Sequence, residues 1–249
     1  MDRLLYVAMS GASRTLQAQA TISHNIANAS TAGFKAALVH SEAAPVAGPG
    51  LQTRVHAQAT AGGFDASAGQ LQHTGQPLDL ALRPGMWLAV QAADGSEAYT
   101  RAGDLQLDPL GQLQTRAGQA VLGTGGAVGV PPAQSIAVGA DGTLSIVPLG
   151  LGGGVAVEVD TLRVVAEPPG GLQRGPDGLF RPAIADEAVA PPAGAGDLLL
   201  SGALEASNVN VAGALVEMIA QQRQFETQVQ LMKKADENAQ RTAELLRLR

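Results

Sequence analysis

Leu204 to Arg249 reads LEASNVNVAGALVEMIAQQRQFETQVQLMKKADENAQRTAELLRLR, and this stretch decides the architecture. From Val211, apolar or small residues recur at Leu215, Met218, Phe225, Met232, Ala239, Ala243 and Leu246, a four-three alternation interrupted mainly at Gln222 and Asp236. That spacing is a heptad seam. No Pro breaks it, only Gly213 weakens it, and Glu, Gln, Lys and Arg fill the other positions as good helix formers do. One helix of roughly 36 residues is predicted, about 54 Å long at 1.5 Å per residue. A rod of that length outruns a small domain, so its stripe must meet another long helix in this chain or in a neighbour.

The opposite end of the chain offers the partner. Asp2 to about Ile26 contains no Pro and only Gly11, and Leu5, Ala8, Ala12, Leu16, Gln19, Ile22 and Ile26 fall on one stripe. The two termini are therefore expected to lie side by side. Small residues on that stripe permit close approach but bury little area. Ordering each residue costs roughly 1–2 kcal/mol of backbone entropy, so the isolated pair is expected to be marginal and to gain order from neighbouring subunits.

Composition narrows the class. The 249 residues are 45% hydrophobic with 31 Gly and 14 Pro but only 3% aromatics, which suits a globular chain with a turn-rich β region. Sixteen basic against 22 acidic residues, a net charge of −6, give no basic patch for nucleic acid. With no cysteine, disulfides and thiolate chemistry are excluded. No run approaches the roughly 20 apolar residues of a membrane span, so membrane insertion is not expected. The opening Met1-Asp2-Arg3-Leu4-Leu5-Tyr6-Val7 lacks an apolar core of signal length, and a cleaved signal is not expected either.

Between the termini the pattern changes twice. Ala43 to Gly50 is a loose connector, with Leu51 to His56 and Phe64 to Leu71 as weak strand candidates. From Thr74 to Ser201, short apolar runs alternate with turn residues, among them Leu78–Leu82, Met86–Val90, Ala98–Arg101, Asp104–Leu107, Gln112–Thr115, Ser135–Val138, Thr143–Val147 and Val155–Val165. Strands every eight to twelve residues imply an antiparallel sheet or barrel-like fold. Asp94-Gly95, Asp141-Gly142 and Asp177-Gly178 mark hairpin turns. The prediction is an α+β fold. Residues 1–35 and 204–249 form a coiled-coil-like helical module, 36–73 an extended linker region, and 74–203 an inserted, mainly antiparallel β domain.

Catalytic constellations are missing from this pattern. Gly123 to Gly129 follows a strand but leads into Val130-Pro131-Pro132 rather than a helix, so it cannot be a dinucleotide loop, and Gly150 to Gly154 fails likewise. His24, His40, His56 and His73 lie about sixteen residues apart, whereas zinc ligands cluster at two to five. Asp79, Arg101 and Asp104 read as an ion pair or turn cap. No cofactor is implied, and an enzyme is not expected.

Several segments together resemble the flagellar rod and hook protein family. At the end of the first helix, Asn25, Asn28, Thr31, Gly33, Phe34 and Lys35 follow its Asn-x-x-Asn-x-x-Thr-x-Gly-Phe-Lys pattern. Asn28 and Gly33 tolerate left-handed backbone, so a helix end and a specific turn are expected there. Thr74 to Ala81, Tyr99 to Asp104 and Gly111-Gln112-Leu113 look like the family's core strands, although Arg83-Pro84-Gly85-Met86-Trp87 departs from its usual Gly-Asp/Glu-Gly-Phe-Phe. Leu204, Glu205, Ser207, Asn208, Val209, Glu217, Met218, Ile219, Gln222, Arg223, Phe225 and Glu226 reproduce its C-terminal signature, with Asn208 or Asn210 suited to cap the last helix.

This resemblance implies a structural subunit of the flagellar basal-body rod that stacks helically with other axial proteins and copies of itself and leaves through the flagellar export apparatus. Its length and Met-Asp start are most like the proximal rod members, with a distal rod or hook-type protein as the alternative. The assembly residues implied are Leu5, Ala12, Leu16, Ile22, Asn25, Asn28, Thr31, Gly33 and Phe34 at one end. At the other they are Leu204, Glu205, Asn208, Val209, Leu215, Met218, Arg223, Phe225 and Met232.

Overall fold

The computed structural model describes residues 2–45, 55–149, 155–168, 170–183, 194 and 196–247. Its contacts divide the chain into two units, one of Met1–Asn28, Ala36–Asp65 and Val209–Arg249 and the other of Ala29–Lys35 and Ala66–Asn208.

The first unit holds helix α1 (Asp2–Ala27), strands β1 (Ala37–Pro45) and β2 (Val55–Phe64), and helix α2 (Val211–Arg247). The two helices pack against one another, and β1 and β2 form an antiparallel hairpin within the region 36–73 expected to be an extended linker. Residues 46–54, which include most of the expected connector and the start of the Leu51–His56 strand candidate, lie outside the described residues. α2 has 37 residues, as its unbroken run of helix formers predicts. Asn210 caps it by accepting a hydrogen bond from the Gly213 N–H at 3.1 Å.

The buried face of α1 is made of Ala8, Ala12, Thr15, Ala18 and Ile22. Leu5 and Leu16, expected on that stripe, are exposed. Small residues let the helices approach closely: a Cβ on Gly11 would stand 3.1 Å from the Gln228 side chain. On α2 the half-buried positions are Ala214, Met218, Gln221, Phe225, Gln228, Val229, Met232, Ala235 and Thr242, mostly at four-three spacing. Met218, Phe225 and Met232 face inward as predicted, whereas Val211 and Leu215 are exposed and glutamines fill the alternate inward positions. Long amide side chains cover the apolar faces of short ones there, which leaves the larger aliphatics outside.

The second unit is β-rich. In chain order its strands are β3 (Leu71–His73), β4 (Leu80–Leu82), β5 (Met86–Gln91), β6 (Glu97–Thr100), β7 (Leu105–Leu107), β8 (Leu113–Thr115), β9 (Leu122–Gly123), β10 (Gly126–Ala127), β11 (Ala133–Val138), β12 (Thr143–Pro148), β13 (Val157–Thr161), β14 (Val164–Ala166), β15 (Leu172–Arg174), β16 (Phe180–Pro182), β17 (Leu199–Ser201) and β18 (Ala203–Glu205). Every pairing among the described strands is antiparallel. The largest sheet runs β14-β5-β6-β16-β15, a second runs β11-β12-β13, and two-stranded pairs β18-β3 and β17-β4 bring the end of the unit back to its beginning.

The Asp-Gly turns form for the predicted reason. Gly95, Gly142 and Gly178 have φ of 82°, 91° and 80°, and Asp94, Asp141 and Asp177 each accept a main-chain N–H two residues on. Inward residues from the sheets, among them Leu80, Leu88, Val90, Leu113, Val121, Val128, Leu144 and Leu162, make one apolar core. Leu144 is wholly buried in it. Leu144→Ala should therefore lower stability by about 2–5 kcal/mol in urea unfolding of the full chain. A loss below about 1 kcal/mol would contradict this core.

Candidate assembly site

The signature residues converge on one buried carboxylate in the β-rich unit. Glu205, on β18, has its side chain only 2% exposed. Its Oε1 accepts hydrogen bonds from Lys35 Nζ and the Gly69 N–H, both at 2.8 Å. Its Oε2 accepts from Arg101 Nε at 2.8 Å and Nη2 at 2.5 Å. Its main-chain oxygen accepts the Gly33 N–H at 2.7 Å. One residue thus holds the segment following α1, the loop before β3 and the strand end after β6.

Two buried cations face this single anion, and main-chain carbonyls absorb the excess positive charge. Lys35 Nζ donates to Ser67 O at 2.6 Å. Arg101 donates to the carbonyls of Leu82, Met86 and Arg83 at 2.9, 2.7 and 3.2 Å. With its bonds to Glu205, all five guanidinium N–H groups are used. Its guanidinium also lies over the Trp87 ring, 5.6 Å from the centroid. Burial pushes the Glu205 carboxyl upward, but Lys35, the Gly69 amide and Arg101 outweigh that and hold it below the ordinary glutamate range.

The adjoining residues have no room to vary. Gly33 has φ 66°, and a Cβ there would overlap the carbonyl of Arg101, so both the backbone and the space require glycine. Phe34 is buried beneath the Arg174 guanidinium, 4.4 Å from its centroid, while Arg174 donates to Lys35 O at 3.1 Å. The Asn208 N–H donates to Phe34 O at 3.3 Å, and its Nδ2 to Ser67 O at 3.1 Å. Residues 33–35 and 205–208 are thereby laced together across most of the sequence.

Asn25 and Asn28 act within the helical unit instead. The Asn25 amide exchanges two 2.9 Å hydrogen bonds with the Ala37 main chain, fixing the start of β1 against the end of α1. Asn28 Nδ2 donates to His24 O at 2.9 Å and closes α1. It does so without left-handed backbone, because the side chain satisfies the terminal carbonyl itself, and of the two residues suited to that conformation Gly33 is the one with positive φ. Asp79, Arg101 and Asp104 do not form a common site: Arg101 turns inward to Glu205, while Asp104 faces Arg116 at 3.7 Å.

The remaining predicted residues fall into three groups. Ala12 and Ile22 are buried, Leu204, Val209, Met218, Phe225 and Met232 are half-buried, and Leu5, Leu16, Thr31, Leu215 and Arg223 are exposed. Sequence reasoning missed the joint role of Lys35, Arg101 and Glu205. The available signal was a carboxylate flanked by apolar residues at an inward strand position.

Three family models match: "Flagella basal body rod protein" over residues 5–35, "Flagellar hook protein FlgE/F/G D1 domain" over 85–146 and "Flagellar basal body rod FlgEFG protein C-terminal" over 200–245. Lys35, Arg101 and Glu205 each lie in a different one. The chain is 43% identical over 249 residues to the flagellar basal-body rod protein FlgF of Escherichia coli K12, covering 99% of each chain. It is equally similar to that of Salmonella typhimurium LT2, again over 99% of each. The chain belongs to the flagellar rod protein FlgF family. It is also 32% identical to the rod protein FlgG of Bacillus subtilis 168, over 99% of this chain and 100% of that one. As a family member it is a structural subunit of the flagellar basal-body rod and not an enzyme.

Glu205→Gln keeps the shape but leaves Lys35 and Arg101 buried without a counter-charge, and should cost about 3–5 kcal/mol. The folded carboxyl is held below its unfolded value, so its stabilisation is full above about pH 4.3 and is lost as pH falls through the lower folded value. Unfolding followed from pH 6 to pH 2 should show this acid-side loss in the unaltered chain and a flatter profile in the variant. Identical profiles would contradict the assignment. Gly33→Ala should independently cost about 1–3 kcal/mol, and a neutral effect would remove the requirement for left-handed backbone.

Proposed function

We propose that this chain is a proximal rod subunit that stacks with other axial proteins and with copies of itself through its terminal helices. In this reading, α1 and α2 continue as a coiled-coil-like pair whose outer faces meet neighbouring subunits. The subunit reaches the rod crossing the periplasm through the flagellar export apparatus. The 43% identity to the FlgF proteins of Escherichia coli and Salmonella typhimurium, against 32% to the FlgG of Bacillus subtilis, supports the proximal position over the distal one.

The observation that carries this reading is the apolar surface that the helical unit leaves uncovered. On α2, Val211, Leu215, Val216 and Ile219 are exposed, the last two at 69% and 53%, with Val211, Leu215 and Ile219 aligned at intervals of four. On α1, Leu5, Tyr6, Met9 and Leu16 are exposed as well. Clustered large apolar side chains in water mark surfaces that another protein covers. A helix pair with so much aliphatic area outside is unsaturated by itself, which is why its order is expected to depend on neighbours.

Leu215→Asp combined with Ile219→Asp tests this. Both side chains are exposed in the single chain, so its denaturant midpoint should move little, within about 0.5 kcal/mol for surface changes. Rod assembly, seen in purified basal bodies, and motility should both be lost. Normal rods carrying the double variant would overturn the role of this face. Cross-linking in basal bodies from the unaltered strain should place the chain beside other axial proteins at the base of the rod, and a position at the distal end would overturn the proximal assignment.

A further inference from the structure

A groove in the β-rich unit, away from the Glu205 cluster, has strand edges for walls. A cavity of about 620 Å³ lies between β7 and β11 and runs into a second of about 260 Å³, both lined by Leu107, Ala133 and Ile136. β7 pairs with β8 on one side only, and β11 is an outer strand of its three-stranded sheet.

The registers show which main-chain groups face the groove. Asp108 N–H donates to Gln112 O at 3.0 Å, and antiparallel alternation then turns the Gln106 main chain toward Gln114 and the Leu107 main chain away from β8. Leu105, two residues earlier, confirms the phase by donating outward to Leu78 O at 3.2 Å. On the opposite wall, Gly139 N–H donates to Thr143 O at 2.8 Å and Ala137 stands opposite Ser145. The Ile136 main chain therefore points away from β12.

The edge strands of the β11-β12-β13 sheet are protected unequally. β13 carries Glu158 and Asp160 and a break in its register. Those devices discourage edge-to-edge pairing. β11, Ala-Gln-Ser-Ile-Ala-Val, has a register break of its own between Ala133 and Ser135 but no charge and no Pro. An edge strand without charges beside a groove is suited to strand addition.

We propose that this groove receives one extended, uncharged segment of a neighbouring rod subunit as an added β-strand, hydrogen-bonded to Ile136 on one wall and Leu107 on the other. It would join the β7-β8 pair to the β11-β12-β13 sheet. A lone segment is required, because both walls are strand edges and only a single chain has both of its own edges free. The lining carries little net charge: Asp79 and Arg116 offset one another, the Asp108 carboxylate accepts the Leu110 and Gln112 N–H groups at 2.8 and 2.7 Å, and the other polar side chains are Gln76, Gln106, Gln134 and Ser135. The proposal rests on the reading that the chain assembles with axial neighbours.

Amide exchange at single-residue resolution, on the isolated full chain and on purified basal bodies, tests it. The Leu107 and Ile136 amides should exchange freely in the isolated chain and slow by about 100-fold or more in basal bodies, as paired strand amides do. Gln134→Cys would supply the only cysteine in the chain. That thiol, on an exposed position of β11, should react with maleimide in the isolated protein, resist it in basal bodies and cross-link there to an axial protein. Equal exchange and labelling in basal bodies that contain the chain would overturn the groove assignment while leaving rod membership standing. Protection of both amides already in the isolated chain, or cross-linking to a protein outside the rod, would also overturn it, and absence of the chain from basal bodies would overturn both readings.

Discussion

The structure depends on one buried carboxylate that must find its counter-charges from distant parts of the sequence. Glu205 meets Lys35 across 170 positions and Arg101 across 104. Removing three charged groups from water costs several kcal/mol per ion, and only complete pairing and hydrogen bonding offsets it. Partial formation would leave a charge stranded in an apolar interior. The cluster therefore favours an all-or-none β-rich unit, in which residues 29–35 are a structural part of the body and not the tail of a helix. A hydrophobic replacement could match its stability, but would not distinguish the right chain segments from wrong ones, and a specifying role is our hypothesis for its presence.

Around that constraint the chain divides its work. The β-rich unit encloses an apolar core of its own, with Leu88, Leu113, Val121 and Leu144 wholly buried. The helical unit does the opposite. Its inward residues are mostly alanine and glutamine, and its larger aliphatics are outside. Such a distribution is poor for a lone helix pair and well suited to a subunit whose neighbours supply the rest of the core.

The sequence made the periodic features legible and hid the nonlocal ones. A Pro-free run rich in Glu, Gln and Arg announces α2 to within a residue or two, and each Asp-Gly pair announces its turn, because both depend on neighbours in sequence. The rotational phase of α2 was only half legible: Met218, Phe225 and Met232 face inward as read, but so do Gln221 and Gln228, the latter against Gly11 of α1. β3, β17 and β18 escaped notice because each is three residues long and pairs with a strand far away in the sequence. Glu205 read as part of a lead-in to the last helix, since nothing local tells a solvated glutamate from one that meets a lysine near the other end of the chain. Asn28 and Gly33 both read as residues suited to left-handed backbone; Gly33 takes it, and Asn28 finishes α1 with its side chain instead.

The most direct test of the Glu205 cluster as the joint of the fold is a double-mutant cycle between Lys35→Met and Glu205→Gln, read by urea unfolding of the full chain. Residues in one buried network share their interaction energy, so each single change should be severe and the pair together clearly less damaging than the sum, with a coupling of about 1–3 kcal/mol. Losses that add within about 0.5 kcal/mol would mean that the two side chains act independently and that the chain ends are not held through this carboxylate.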